Sequence, residues 1–259
     1  MENLRKYGRA PFTIAVVHGG PGGAGEVAPV AQELSKKQGI LEPLQTKFTI
    51  EDQLQELKTV LQKHGTIPMT LIGHSWGTWL SFIFAANNPS LVKKLILVSS
   101  GPFEESYATN IMKTRLSHLN IGAQNKLQSL LNALNDHANK NKDAIFTQLG
   151  KYIAHADSYD PLPHQDAQLE GNYAIYKAVD AEAKELRQSG KLLAFGKQIQ
   201  CPVVAIHGDY DPHPYEGVKK PLSDILESFR FILLKNCGHT PWNERHAHEE
   251  FYKLLTQEL

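Results

Sequence analysis

The stretch Leu71-Ile72-Gly73-His74-Ser75-Trp76-Gly77 constrains this chain more than any other. The apolar run from Pro68 to Ile72 predicts a buried strand, and a helical pattern begins at Trp76. Between them sits Gly-x-Ser-x-Gly with Ser75 at its centre. So sharp a turn from strand to helix holds the serine in strained backbone and pushes its hydroxyl out above the sheet. A side chain at Gly73 or Gly77 would collide with the neighbouring strand or helix. The positive end of the helix that follows points at chemistry on Ser75.

The rest of the chain supplies a sheet around that turn. Phe12–Val17 is continuously apolar and β-branched, the mark of a strand covered on both faces. It runs into His18-Gly19-Gly20-Pro21-Gly22. A helix is expected from Glu26 to Lys37, a weak strand from Ile40 to Thr46, and a second helix opened by Thr49 as N-cap with Asp52 three residues on. Leu54, Leu57, Val60 and Leu61 follow helical spacing, and Gly65 ends that helix. After the Ser75 turn a helix runs to about Ala86, stopped by Asn87-Asn88-Pro89, and Lys94–Val98 is the next buried strand. This βαβ alternation predicts a mostly parallel sheet with right-handed crossovers.

The alternation breaks at Gly101-Pro102. From Phe103 to about Lys197 no strand is expected, only helical segments: Glu105–Leu119, Ala123–Asn135, Lys142–His155 and Asn172–Gly190. The sheet resumes with Pro202–Ile206, then a helix at Pro221–Ser228, the strand Phe229–Leu234 and an amphipathic helix from Glu244 to Leu255. The organisation is therefore a core of 1–102 and 198–259 with a helical cap insertion, 103–197. A chain of 259 residues buries roughly three quarters of its unfolded surface, enough for one such domain.

Serine is a weak nucleophile at neutral pH and needs a base. Of the twelve histidines, His239 follows the last strand, where Gly238 loosens the loop. His246 and His248 lie two apart on the final helix and face different sides. His74 is expected to pack behind the turn, while His207 and His213 lie near the site with no assigned task. The base needs a carboxylate to fix its tautomer. Gly208-Asp209-Tyr210-Asp211 offers two, and reach favours Asp211, leaving Asp209 to cap the turn. The order Ser75, Asp211, His239 differs from the orders of chymotrypsin and subtilisin. The Gly-rich turn lacks the spacing of phosphate-binding motifs and the P-loop lysine. Its other use is an oxyanion hole, with Gly20 N–H as one donor and Trp76 N–H as the second; removing one such donor typically costs about 2.7–4 kcal/mol. His18 is expected to shape this loop.

On HGGPG and Gly73-His74-Ser75-Trp76-Gly77 the chain resembles the α/β-hydrolase fold superfamily, within it the proline iminopeptidase branch. The resemblance implies triad roles for Ser75, Asp211 and His239, oxyanion roles for Gly20 and Trp76, and motif roles for His18, Gly19, Gly22, Gly73 and Gly77. Members of that branch carry an N-terminal strand pair before the HGGPG strand. Only about ten residues precede it here, so the pair is expected to be missing and the sheet to have about six strands. Their elbow usually has Gly where this chain has His74. Their caps supply acidic residues for a substrate amine; Glu104, Glu105, Glu170, Glu182 and Glu185 are available but match no motif. Tyr152, His155, Asp157, Tyr159 and His164 cluster ahead of Pro161 and Pro163, and Trp76, Trp79 and Trp242 are candidates for an apolar pocket.

The expected activity is hydrolysis of a small ester, thioester or amide through an acyl-enzyme on Ser75, with no cofactor and no metal. The alternatives are an aminopeptidase of the proline iminopeptidase kind and a non-catalytic ligand receptor. Lysine plus arginine equals aspartate plus glutamate, 27 each, so no basic footprint for nucleic acid or acidic membrane exists. No apolar run approaches the ~20 residues of a membrane helix. Cys201 and Cys237 fall at opposite ends of neighbouring strands, roughly 20 Å apart at ~3.3 Å per residue, beyond disulfide reach. Two reduced thiols fit a cytoplasmic location. Oligomeric state is not legible.

Overall fold

The computed structural model describes residues 3–163 and 170–259. His164 lies outside them. The strands are β1 (Leu4–Tyr7), β2 (Phe12–Val17), β3 (Gly23–Ala24), β4 (Gly39–Pro43), β5 (Met69–His74), β6 (Val92–Val98), β7 (Glu170–Gly171), β8 (Val203–Gly208) and β9 (Phe229–Leu234). The helices are α1 (Ala28–Leu34), α2 (Ile50–His64), α3 (Trp76–Asn87), α4 (Ile111–Ser117), α5 (Ile121–Asn135), α6 (Lys142–Ala156), α7 (Tyr173–Gln188), α8 (Lys191–Ala194), α9 (Glu216–Ile225) and α10 (His248–Gln257).

Seven strands form one sheet in the order β1-β4-β2-β5-β6-β8-β9. Every neighbour pair is parallel except β1 with β4. The expectation of about six strands lacking the N-terminal pair is corrected to seven, because one strand, β1, does precede β2. Leu4–Tyr7 pairs antiparallel along β4, from Leu4 opposite Pro43 to Tyr7 opposite Ile40, and so caps the sheet edge. Four residues with a buried Leu4 are enough for an edge strand, which needs only one partner.

Alternation along the strands builds two apolar layers. Ala15, Val17, Leu71, Leu95, Leu97 and Ala205 face α2 and α3 through Leu57, Leu61, Phe82 and Phe84. Ile14, Val16, Ile72, Ile96, Val204 and Ile206 face α1 and α10 through Val30, Leu34, Phe251 and Leu255. α3 runs between sheet and solvent-excluded neighbours with all but its last residue buried, which is why its sequence carries almost no polar face. Thr49 caps α2 as expected, its hydroxyl accepting the Asp52 N–H at 3.1 Å.

Between β6 and β8 stand α4 to α8, with a small core of their own made by Leu119, Leu127, Leu130, Leu134, Leu149 and Ala156. One short strand does occur here: β7 pairs antiparallel with β3, joining the Gly-rich turn to the insertion. Several boundaries differ from expectation: the helix expected over Glu105–Leu119 is α4 at Ile111–Ser117, and the one expected over Pro221–Ser228 is α9 at Glu216–Ile225. α1 starts at Ala28, so Glu26 lies in the preceding turn, and α10 starts at His248, so Glu244 lies in the loop before it. Both glutamates have work elsewhere. Among the described residues no helix is long and apolar enough to cross a membrane.

The root of the insertion is packed by one aromatic pair: the Phe82 ring, fully buried, meets Phe103 edge-on with centroids 4.8 Å apart. Phe82→Ala is expected to lower the unfolding free energy by about 3–5 kcal/mol, read as a shifted midpoint in urea denaturation.

Candidate active site

The turn between β5 and α3 places Ser75 at φ 50°, ψ −117°, left-handed backbone that a non-glycine residue adopts only when its surroundings force it. The forcing groups are visible. A Cβ on Gly73 would run into the Gly77 carbonyl, and a Cβ on Gly77 into the carbonyls of Val17 and His18. Ser75 N–H donates to Val98 O at 3.1 Å, and the Ser75 carbonyl accepts from Thr78 N–H at 3.1 Å. Trp76 is the first residue of α3, a position whose N–H has no acceptor within the helix. The Trp76 indole N–H is held by Gln45 Oε1 at 2.9 Å.

Across from this turn, the end of β2 gives the Gly-rich loop its shape. His18 is fully buried. Its Nδ1 bonds the Gly19 carbonyl at 2.8 Å, and its Nε2 accepts the Gln45 N–H at 3.1 Å. Burial holds its pKa below the usual histidine value. Gly20 has φ +42° and open space where a Cβ would stand, so a ligand can approach its backbone. The Gly22 carbonyl accepts the Asn172 N–H at 2.8 Å, a second tie from this loop to the insertion.

His239, on the loop after β9, and Asp211, on the loop after β8, meet as expected: Nδ1 lies 2.7 Å from Oδ2, with both side chains buried. Asp209 stays outside, bonding Cys237 N–H and Lys235. Burial would raise the Asp211 carboxyl. The imidazoles of His239, His213 and His207 outweigh it and hold the group well below the usual carboxylate range. Burial would likewise lower His239, but the Asp211 charge and hydrogen bond raise it above the ordinary histidine value.

Three features of this site had no sequence signal strong enough to find them. Glu26 turns in from the residues before α1; its Oε2 accepts Gly19 N–H at 3.0 Å and lies 3.0 Å from His74 Nδ1. His74 Nε2 in turn donates to the His239 carbonyl at 3.0 Å, so the histidine behind the turn braces the loop of the other. Glu244, fully buried, accepts N–H groups of Gly238, Tyr159 and Asp160, which locks the His239 loop to the end of α6. His213 also reaches Asp211, with Nδ1 2.8 Å from Oδ1. Glu26 and His74 lie 48 positions apart and Glu244 and Tyr159 lie 85 apart, separations that leave no periodicity to read.

A cavity of about 420 Å³ opens above Ser75 and His239. Gly19, Gly20, Trp76 and Trp79 floor it, and one face of α6 (Phe146, Leu149, Gly150, Ile153) roofs it with Ile111, Met112 and Leu131. Trp242 lies outside the lining and packs edge-on against His74, centroids 4.6 Å apart. Of the cluster near Pro161, Asp157 reaches the cavity, whereas Tyr152, His155 and Tyr159 do not line it. Donor atoms of Asp157, His213 and His239 lie within 4.8 Å of one another, a set with metal-ligand chemistry. Asp157 is already held by Arg115 through both carboxylate oxygens, each at 2.7 Å, and His239 by Asp211.

Residues 35–241 match the model of the α/β hydrolase fold family. The chain belongs to that family. This hydrolase is 25% identical over 293 residues to a proline iminopeptidase of Lactobacillus delbrueckii subsp. bulgaricus, covering 97% of this chain and 90% of the relative. In fold it is similar to VinJ, with TM-score 0.67, 18% identity and 98% and 93% of the two chains covered. A Paleococcus ferrophilus monoacylglycerol lipase gives TM-score 0.61 at 16% identity, covering 98% and 96%. The two structural likenesses show that the hydrolase shares its overall fold with those proteins.

Glu26 makes acid stability testable. Burial would raise its carboxyl, but the charge and hydrogen bond of His74, with His239 and His18 beyond, bring it down to about 2. A carboxyl lower in the folded than in the unfolded state stabilises fully above its unfolded pKa, and that contribution is lost as pH falls through the folded one. The hydrolase is therefore expected to lose stability between about pH 4.5 and 2, and Glu26→Gln to flatten that part of the curve of unfolding free energy against pH.

Proposed function

We propose that this hydrolase cleaves esters of an apolar acyl group through an acyl-enzyme on Ser75. The observation that carries the reading is one juxtaposition: a serine held in left-handed backbone and His239, itself bonded to Asp211 behind it, line the same cavity. In this reading Asp211 accepts Nδ1–H of His239 and leaves Nε2 as the base. His239 takes the Ser75 proton as Oγ attacks the carbonyl carbon. The oxyanion is held by the N–H groups of Gly20 and Trp76. His239 then protonates the leaving alkoxide, and water, activated by the same imidazole, releases the acid and restores Ser75. No cofactor enters these steps. Residues 103–197 act as the cap, 1–102 and 198–259 as the core, and the two free thiols, Cys201 and Cys237, fit a cytoplasmic location.

Two observations favour an apolar acyl group over a substrate with a free amine. The α6 face over Ser75 is apolar. The carboxylates that line the cavity are engaged: Glu26 with His74, Asp157 with Arg115, Asp180 with Lys184. The iminopeptidase reading rests on similarity to proteins of that name. Of the cap glutamates considered for it, Glu104, Glu105, Glu182 and Glu185 are not among the cavity's lining residues. Glu182 instead accepts the Ile50 N–H, and Glu105 pairs with Arg187.

Ser75→Ala and His239→Ala are each expected to lower kcat on p-nitrophenyl butyrate by a factor on the order of 10⁶ with folding intact, and Asp211→Asn by about 10⁴. Prolyl p-nitroanilide, run beside the esters, is expected to be turned over far more slowly.

Chain length provides a second test. Each methylene buried on α6 contributes about 0.8 kcal/mol, so kcat/KM is expected to rise roughly fourfold per carbon from acetate towards octanoate. Gly150 lines the cavity with nothing within 4 Å of its Cβ position. Gly150→Phe fills that space and is expected to lower the octanoate-to-acetate ratio of kcat/KM by at least tenfold.

A further inference from the structure

We infer that Arg115, a cap residue, is a positioning residue for the triad, acting through His213 to aim the Asp211 carboxylate at His239. The inference rests on the Ser75–His239–Asp211 reading above. Its observation is separate: each oxygen of the acid carries a hydrogen-bonded imidazole, with a third, His207 Nε2, 3.4 Å from Oδ2. Oδ2 holds His239 Nδ1 at 2.7 Å. Oδ1 receives the His213 main-chain N–H at 2.9 Å and faces His213 Nδ1 at 2.8 Å.

Which way the second imidazole is protonated is decided by a third group. Arg115 Nη2 lies 3.4 Å from His213 Nε2. Guanidinium can only donate, so that nitrogen must be the acceptor and the proton sits on Nδ1, directed at Asp211. His213 is thus neutral and a fixed donor. Burial agrees with this: it pushes the His213 pKa down to about 4 against the pull of Asp211. With both His213 donors on Oδ1, the carboxylate cannot rotate without breaking two hydrogen bonds, and Oδ2 stays on His239. The buried His207 adds to the fixation, with Nε2 2.9 Å from the His213 carbonyl.

The same guanidinium holds the base. Its fork on Asp157 fixes the residue whose carbonyl accepts the His239 main-chain N–H at 2.8 Å. One cation on α4 therefore touches the loop of the acid through His213 and the loop of the base through Asp157. Lysine could not do this, since a point charge lacks the planar fork that meets a carboxylate and an imidazole together. The arrangement makes a competent triad conditional on the cap being seated over the core.

The consequence falls on His239. The groups facing its ring or charge are Asp211 from the β8 loop, Asp157 from the end of α6, Glu26 from before α1, His74 from the Ser75 turn, His207 from β8, and His213 itself. Two of these draw charge away from Asp211, His213 through its hydrogen bonds to Oδ1 and His207 from 3.4 Å beside Oδ2, and His213 is the one whose proton Arg115 fixes. Removing its N–H leaves more negative charge on Oδ2, which favours imidazolium at residue 239. The acid limb of kcat/KM, set by loss of that proton from the free enzyme, then moves to higher pH.

The experiment compares wild type, His213→Leu, His213→Asn and Arg115→Lys, which keeps a cation beside Asp157 but lacks the planar fork that reaches His213 as well. Active enzyme is counted by the p-nitrophenol burst. His213→Leu is expected to lower kcat about tenfold, with KM within about twofold, and to move the acid limb upward. His213→Asn, whose amide N–H stands near the Nδ1 place, is expected to recover most of both effects. Arg115→Lys is expected to move the limb in the same direction, and adding His213→Leu to it is expected to move the limb no further than His213→Leu alone. His213→Leu with the limb and kcat of wild type overturns the inference, as does an Arg115→Lys limb unmoved from wild type, a limb shift that adds in full between Arg115→Lys and His213→Leu, or a change confined to KM. A wild type without a burst, whose turnover survives Ser75→Ala, refutes the triad reading instead.

Discussion

The strained serine is the constraint on which the molecule turns. At φ 50° the Ser75 backbone lies where an L side chain is unwelcome, an outlier of a kind that costs about 1–3 kcal/mol and survives only when its surroundings leave no alternative. Those surroundings are the sheet and α3. β5 is flanked on both sides by parallel partners in register, and α3 packs against it so closely that Gly73 and Gly77 have no room for a Cβ. A strand buried on both faces and a helix buried nearly all round cannot give way to relax one residue. The stability of the core is what keeps the serine hydroxyl lifted toward the cavity, and the first amide of α3 beside it.

A second constraint is electrostatic. Buried carboxylates and imidazoles surround His239, and each group survives burial only because it has partners. Asp211 meets three histidines, Glu26 meets His74 and the Gly19 amide, and Asp157 meets Arg115. The directions agree. The Asp211 and Glu26 carboxyls are held low, His213 is held low by burial, and His239 is held high by the acid it faces. The site thus sorts four imidazoles with similar intrinsic basicity into one raised by its carboxylate partner, the base of the proposed mechanism, and others that donate hydrogen bonds or brace loops. The insertion takes part in that sorting, because Asp157, Arg115 and the amides of Tyr159 and Asp160 belong to it.

What could be read from the sequence was local. The apolar runs of β2, β5, β6, β8 and β9, the capped α2 and the Gly-x-Ser-x-Gly turn each announce themselves within a window of a dozen residues. Asp211 and His239 were found because each follows a strand at a short fixed reach. β1 was missed because a four-residue edge strand with one buried face carries hardly any pattern, and β7 because two residues carry none. Glu26 and Glu244 were misassigned to helix starts, where acids are ordinarily welcome. In the fold they satisfy amide groups of loops distant in sequence, and nothing in their neighbourhoods records that. The Asp211–His213 bond spans two residues yet was not anticipated either, since it depends on the guanidinium that fixes the ring, nearly a hundred residues upstream.

The most direct measurement of the central claim is covalent. An alkyl fluorophosphonate should add one phosphonyl group per chain, mapped by peptide mass spectrometry to the peptide carrying Ser75, with labelling suppressed in His239→Ala. A folded protein that takes up no phosphonyl group at saturating reagent, or takes it up at another residue, would contradict the account.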